Sequence, residues 1–267
     1  MNEVWSEEAG PTDAPRIALI HGTMDRSTGM LKLSRRLDGR FRVLRYDRRG
    51  YGRSTPHHGP FDMGAQVDDL LDLLANRPTV LVGHSYGGNV ALAAASRRPD
   101  LVAGVAVYET PLSWKSWWPG TTAGAAARTA EGDTSQAAEH FMRRLIGDTA
   151  WENLPERTRA TRRAEGAAMV GELRDLHTNA PWDELSILCP SIASFGSRGA
   201  THHREGMRYL SEHLSQCEPV ELMGCRHDAP LSHSDTFTSM IVEPLLRRVG
   251  ADWADAVDAG TPRSNAL

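Results

Sequence analysis

The chain has no apolar run near the roughly 20 residues that a membrane-spanning helix needs. Its first fifteen residues, MNEVWSEEAGPTDAP, are acidic and lack the apolar centre of a secretory signal. Neither membrane attachment nor export is therefore expected. Cysteine is scarce: Cys189, Cys217 and Cys225 form an odd set of three without CxxC spacing. That argues against a disulfide scaffold and for a reducing compartment, the cytoplasm by default. A dominant charge sign is also missing. Thirty basic residues against 34 acidic ones leave a net charge of −4. Paired arginines such as Arg35–Arg36 and Arg162–Arg163 are scattered along the chain, so no field would recruit nucleic acid. Aromatic residues make up only 6% of the chain, which makes their distribution informative.

What is present is a chain of 267 residues, 40% hydrophobic and 24% charged, enough to bury a sizeable core in one large domain. Short aliphatic runs read as strands at Arg16–Ile20, Arg42–Tyr46, Thr79–Val82, Val102–Tyr108, Pro190–Phe195 and Pro219–Leu222. Amphipathic segments lie between them. In Ala65–Ala75 the residues Val67, Leu70, Leu71 and Leu74 fall on one helical face, and Asn89–Arg98 is alanine-rich. This alternation predicts an α/β fold, a mostly parallel sheet with helices on both faces. The alternation stops between residues 112 and 185. That stretch holds five of the seven tryptophans (Trp114, Trp117, Trp118, Trp151 and Trp182) and helical patterns at Ser135–Ile146 and Glu156–His177. It reads as a helical insertion into a core formed by residues 1–111 and 186–267. The tail after Trp253 is expected to fray.

Residues Val80–Gly88, VLVGHSYGG, run from an aliphatic strand through Gly83-His84-Ser85-Tyr86-Gly87 into the alanine-rich helix. This is the G-x-S-x-G pattern in its strand–turn–helix context. Glycines two before and two after a serine let the neighbouring backbone approach a sharply turned nucleophile. The helix end then presents free N–H groups to a developing oxyanion. By itself the motif is a weak signal in a chain with 24 glycines; the flanking strand and helix give it weight.

With these residues in view the chain resembles the α/β-hydrolase fold family, specifically a capped serine esterase, over nearly its whole length. Ile17–Thr23, IALIHGT, is similar to the segment carrying the first half of that family's oxyanion hole, and Asp47–Ser54, DRRGYGRS, to the turn after the next strand. The resemblance implies that the backbone N–H groups of Thr23 and Tyr86 hold the oxyanion. It also implies that Asp47 and Arg53 fix a turn, and that residues 112–185 form a cap. His227, in Val220–Pro230 (VELMGCRHDAP), follows a strand and a glycine turn near the C-terminus, where the family places its general base. His233 is a weaker rival, and the adjacent pairs His57–His58 and His202–His203 show no metal-ligand spacing. No metal and no cofactor are expected.

The triad acid departs from the pattern. Gly199, in Phe195–Gly199, stands where the family's aspartate is expected. Pancreatic-type lipases and some haloalkane dehalogenases instead place the acid after the strand that follows the nucleophile helix, which here ends at Glu109. The expected triad is Ser85, His227 and Glu109, with Asp228, Glu205 or a water-assisted dyad as alternatives. The expected reaction is hydrolysis of a carboxylic ester or related acyl bond, on a small, apolar substrate. The tryptophans Trp114, Trp117 and Trp118, with Met24, are candidates to line its pocket, although for each tryptophan taken singly anchoring the insertion to the core is the better reading. The competing readings are a C–C bond hydrolase or cofactor-free lyase on the same scaffold, and a ligand sensor of low turnover.

Overall fold

The computed structural model describes residues 4–128, 132–250 and 253; the tail expected to fray lies outside them. Seven strands form one sheet: β1 (Ser6–Ala9), β2 (Arg16–Ile20), β3 (Arg42–Tyr46), β4 (Thr79–His84), β5 (Val102–Tyr108), β6 (Ser191–Gly196) and β7 (Cys217–Leu222). Their spatial order is β1-β3-β2-β4-β5-β6-β7. Only β1 is antiparallel to its neighbour. The helices are α1 (Leu31–Leu37), α2 (Met63–Leu74), α3 (Tyr86–Arg97), α4 (Ala123–Arg128), α5 (Thr134–Ile146), α6 (Asp148–Glu152), α7 (Glu156–Ala164), α8 (Gly166–Thr178), α9 (Thr201–His213), α10 (Ala229–Ser232), α11 (Ser234–Phe237) and α12 (Glu243–Val249). None of them is long and apolar enough to cross a membrane.

The sheet is buried on both faces, and the period of two in its strands sorts the core into two layers. Ala18, Ile20, Leu81, Val105, Val107 and Ala193 pack with Val67 and Leu70 of α2, Val90 of α3 and Met207 of α9. Ile17, Leu19, Val80, Val82, Ala106 and Ile192 pack on the other side with Leu33 of α1, Phe237 of α11 and Leu245 of α12. The alanines of α3 keep that helix close to the sheet, which fixes the turn leading into it. Each fully buried Leu or Ile contributes about 1.5–3 kcal/mol relative to exposure.

Strand β1 has no sequence signature and was not expected. SEEA lacks β-branched residues, and the segment is held as an edge by its charges: Glu8 pairs with Arg16 and Arg42, and Glu7 with Arg45. The pattern Glu156–His177, read as one helix, is divided into α7 and α8 at Glu165. The Glu165 carboxylate is buried and accepts hydrogen bonds from Arg26 Nη2 (2.8 Å) and the Gly52 amide (3.0 Å). A Cβ on Gly166 would stand 2.0 Å from the Thr134 carbonyl oxygen, so the chain bends where it presses against the start of α5.

Between β5 and β6 the described residues contain helices and no strand. Helices α4, α5, α6 and α8 enclose a third apolar cluster around Trp151, which is fully buried among Ala127, Phe141, Met142, Met169 and Val170. The far end of the stretch is fastened to α3. Trp182 Nε1 donates to Asn89 Oδ1 (3.0 Å), while Asn89 Nδ2 donates to the Pro111 carbonyl (2.8 Å).

Candidate active site

Ser85 sits between β4 and α3 with φ 53° and ψ −124°, a backbone conformation an L-residue rarely adopts. The glycines around it are required by contact. A Cβ on Gly83 would lie 2.5 Å from the Gly87 carbonyl oxygen, and one on Gly87 would lie 2.3 Å from the Ile20 carbonyl oxygen. The turn is closed by Ser85 N donating to the Tyr108 carbonyl (2.9 Å) and Gly88 N donating to the Ser85 carbonyl (2.9 Å). Such strain persists only where the surroundings overdetermine it, and it concentrates at functional sites.

Glu109, one residue past β5, repeats the pattern: it is fully buried and has φ 47°. Its Oε1 accepts from the Gly196 amide (3.0 Å), and its Oε2 lies 2.7 Å from His227 Nδ1. That contact turns an Nδ1–H toward the carboxylate and leaves Nε2 as the ring's other nitrogen. Asp228 and Glu205 are exposed. Gly199 is explained by the same carboxylate. A Cβ there would stand 2.1 Å from Glu109 Oε1, so the side chain of Glu109 already fills the space that an acid at 199 would enter.

The loop carrying His227 is held from two adjacent strands. Tyr108 Oη donates to the Arg226 carbonyl (2.7 Å), and His84 Nε2 donates to the His227 carbonyl (2.8 Å). Burial, and then the neighbouring His227 ring, push the His84 pKa down to about 3. His84 is thus a neutral donor that positions the loop. His233 is exposed, and its Nδ1 contacts Ser232 Oγ (2.7 Å). Asp47 fixes its turn by accepting from the amides of Ser27 (2.7 Å) and Arg53 (2.9 Å).

The segment Ile17–Thr23 is fastened from α8, between β5 and β6, a feature sequence reasoning missed. Glu172 of α8 is fully buried. It accepts from Thr23 Oγ1 (2.6 Å), Tyr51 Oη (2.8 Å), Gln66 Nε2 (3.2 Å) and Arg48 Nη1 (2.5 Å). Arg48 in turn donates through Nε to the His21 carbonyl (3.0 Å) and through Nη2 to the Gly22 carbonyl (3.0 Å). Although burial alone would lower the Arg48 pKa, the Glu172 carboxylate raises it. Nothing in local spacing links residues 48 and 172.

Ser85, Glu109, His227 and Thr23 line one cavity of about 360 Å³, together with Trp118, Phe141, Leu173 and Leu176. Tyr86, the first residue of α3, adjoins it through Ser85. Of the four residues expected to form the pocket wall, only Trp118 is among the lining residues. Met24 is buried in the cluster around Trp151. Trp114 packs edge-on against Trp182 at 5.2 Å between centroids. Trp117 is 41% exposed and tilts against Trp118 and Tyr209. The two indoles serve packing instead, while leucines and Phe141 from the helices between β5 and β6 take the pocket positions. His202 and His203 also reach this cavity, brought there by α9 from far along the sequence.

The comparisons with known proteins agree with this architecture. A pimeloyl-[acyl-carrier protein] methyl ester esterase of Chromobacterium violaceum is 27% identical over 243 residues, covering 86% of this chain and 94% of the esterase. Lipase LipV of Mycobacterium tuberculosis is 36% identical over 107 residues, but the match spans only 40% of that lipase. Among solved structures, the enol-lactonase from Burkholderia xenovorans LB400 superposes with a TM-score of 0.71 at 25% identity, covering 91% of this chain and 96% of the lactonase. A thermophilic esterase from Thermogutta terrifontis gives 0.72 at 23% identity, covering 92% and 93% of the two chains. The model of the alpha/beta hydrolase family matches residues 17–240, and this chain belongs to that family.

Proposed function

We propose that this hydrolase cleaves a carboxylic ester, or a closely related acyl bond, through an acyl-enzyme formed on Ser85. The observation that carries the reading is the 2.7 Å contact between the buried Glu109 carboxylate and His227 Nδ1, in the cavity that Ser85 lines. A serine hydroxyl is a poor nucleophile at neutral pH and needs a base to take its proton. In the proposed reaction His227 Nε2 takes that proton as Ser85 Oγ attacks the carbonyl, and Glu109 stabilises the imidazolium. The N–H groups of Thr23 and Tyr86 receive the oxyanion. His227 then protonates the leaving alcohol, and a water activated by the same ring releases the acid.

Residues 112–185 act as the cap. Leu173, Leu176, Phe141 and Trp118 supply an apolar wall, which favours a small apolar acyl or alcohol group. The likeness to a methyl ester esterase over most of both chains supports an ester substrate. Absence of an acid at 199 was the feature favouring a low-turnover sensor; Glu109 beside His227 removes that motive. The test is turnover of p-nitrophenyl acetate and butyrate. We expect measurable hydrolysis, reduced at least a thousandfold by Ser85→Ala. Hydrolysis that survives Ser85→Ala would refute the reading.

A further inference from the structure

The cavity holds more nitrogen ligands than a serine hydrolase requires. His202 and His203 are the second and third residues of α9. The His203 ring lies nearly parallel to His227, with centroids 4.9 Å apart and planes 23° from each other. One ring nitrogen of His203, one of His227 and a carboxylate oxygen of Glu109 all lie within 4.8 Å of one another. His203 Nδ1 is shielded from solvent and has no hydrogen-bond partner among the described residues. An orphaned buried nitrogen is a group whose cost the fold has not offset.

Two imidazoles and one carboxylate are the ligand types of an open zinc site, which binds through three protein groups and keeps a fourth position free. Ligand atoms about 2.1 Å from a tetrahedral ion stand roughly 3.4 Å apart. The widest separation here must therefore close by up to about 1.4 Å, within the reach of side-chain rotation, while the 2.7 Å contact opens by about 0.7 Å. All three residues line the cavity, which gives an ion a way in. The sequence concealed the cluster because its members come from three separate segments.

We propose that Glu109, His203 and His227 form a zinc site whose occupation switches hydrolysis off. The switching part rests on the function proposed above. If the ion binds His227 at Nε2, it caps the lone pair that would take the Ser85 proton. If it binds at Nδ1, the ring proton moves from Nδ1 to Nε2, and the lone pair is replaced by N–H. Either way the protons balance and the base is lost.

The test measures binding and activity separately. Calorimetric titration of metal-free wild-type protein and of Ser85→Ala with Zn²⁺ should give one ion per chain in both. His203→Ala and the bulkier His203→Gln should each weaken that binding at least tenfold. Bound Co²⁺ should show the intense visible absorption of a low-coordinate site in wild type and lose it in both variants. For p-nitrophenyl butyrate hydrolysis, Zn²⁺ should inhibit wild type reversibly, with EDTA restoring the rate. The zinc inhibition constant should rise at least tenfold in His203→Gln. Equal zinc affinity in wild type and both His203 variants would overturn the site. Zinc binding that depends on His203 but leaves hydrolysis untouched would overturn the switch. A chain that binds zinc through His203 yet hydrolyses no ester would keep the site and refute the function proposed above.

Discussion

Glu109 and Glu172 are both fully buried carboxylates lining or adjoining the same reaction space, yet the fold treats them differently. Glu109, just past the end of β5, has a backbone in the left-handed region and, among the described residues, only two side-chain partners, the Gly196 amide and His227. Glu172, in the middle of α8, has regular helical backbone and four partners, including the cation Arg48. The first is poised against a ring whose charge can change. The second is locked against a guanidinium whose charge cannot. Chemistry is therefore expected from the strained, sparsely bonded acid, and rigidity from the saturated one. The locked acid still bears on the site, because through Arg48 and Thr23 it holds the loop proposed to bind the oxyanion.

Substitution of each acid by its amide is the way to break this contrast. Glu109→Gln should lower kcat about ten-thousandfold, since the amide no longer fixes the tautomer or stabilises the imidazolium, while the melting temperature changes little. The fall should be seen in steady-state hydrolysis of a p-nitrophenyl ester. The double variant Glu109→Ala with Gly199→Asp sharpens the point. It frees the space 2.1 Å from position 199 and should recover part of the activity that Glu109→Ala loses. Glu172→Gln should do the reverse. Leaving Arg48 buried without its counter-charge should cost about 3–5 kcal/mol in urea unfolding, with a smaller loss in kcat than Glu109→Gln. If Glu172→Gln proves the more damaging to kcat, the division of labour is wrong.

The smallest effect concerns His84, which neighbours both the serine turn and the His227 loop. Its folded pKa of about 3 lies below the ordinary value, so the unfolded chain takes up the proton first. Its contribution to stability is complete above about pH 6.5 and is lost as pH falls toward 3. Between pH 6.5 and 5, His84→Asn should lose about 2 kcal/mol less stability than wild type, at about 1.4 kcal/mol per pH unit. Urea unfolding at the two pH values would measure it. An unchanged slope would mean that His84 titrates normally.

The sheet was legible because its strands are buried on both faces and read as uninterrupted aliphatic runs; Arg16–Ile20, Arg42–Tyr46 and Val102–Tyr108 match the expected bounds. The turn around Ser85 was legible because glycine alone fits at 83 and 87. Glu109 could be named from its place at a strand end, but its hold on His227 could not, since 118 residues separate them. What stayed hidden depends on distant pairing. The charged edge strand β1 is held by Arg16, Arg42 and Arg45, and the Arg48–Glu172 pair joins the turn after β3 to α8. The pocket wall was misread for the same reason: tryptophan content marks a segment as apolar but does not say which side chains face the cavity. Met24, Trp114 and Trp117 pack elsewhere, and Phe141, Leu173 and Leu176 take those positions.

The most direct test of the account is covalent. A fluorophosphonate reacts with a serine only where a base and oxyanion donors activate it. Labelling the protein and mapping the adduct by peptide mass spectrometry should give one modified residue, Ser85, with the reaction slowed strongly in Glu109→Gln and absent in Ser85→Ala. An adduct on another serine, or equal labelling of Ser85→Ala, would contradict it.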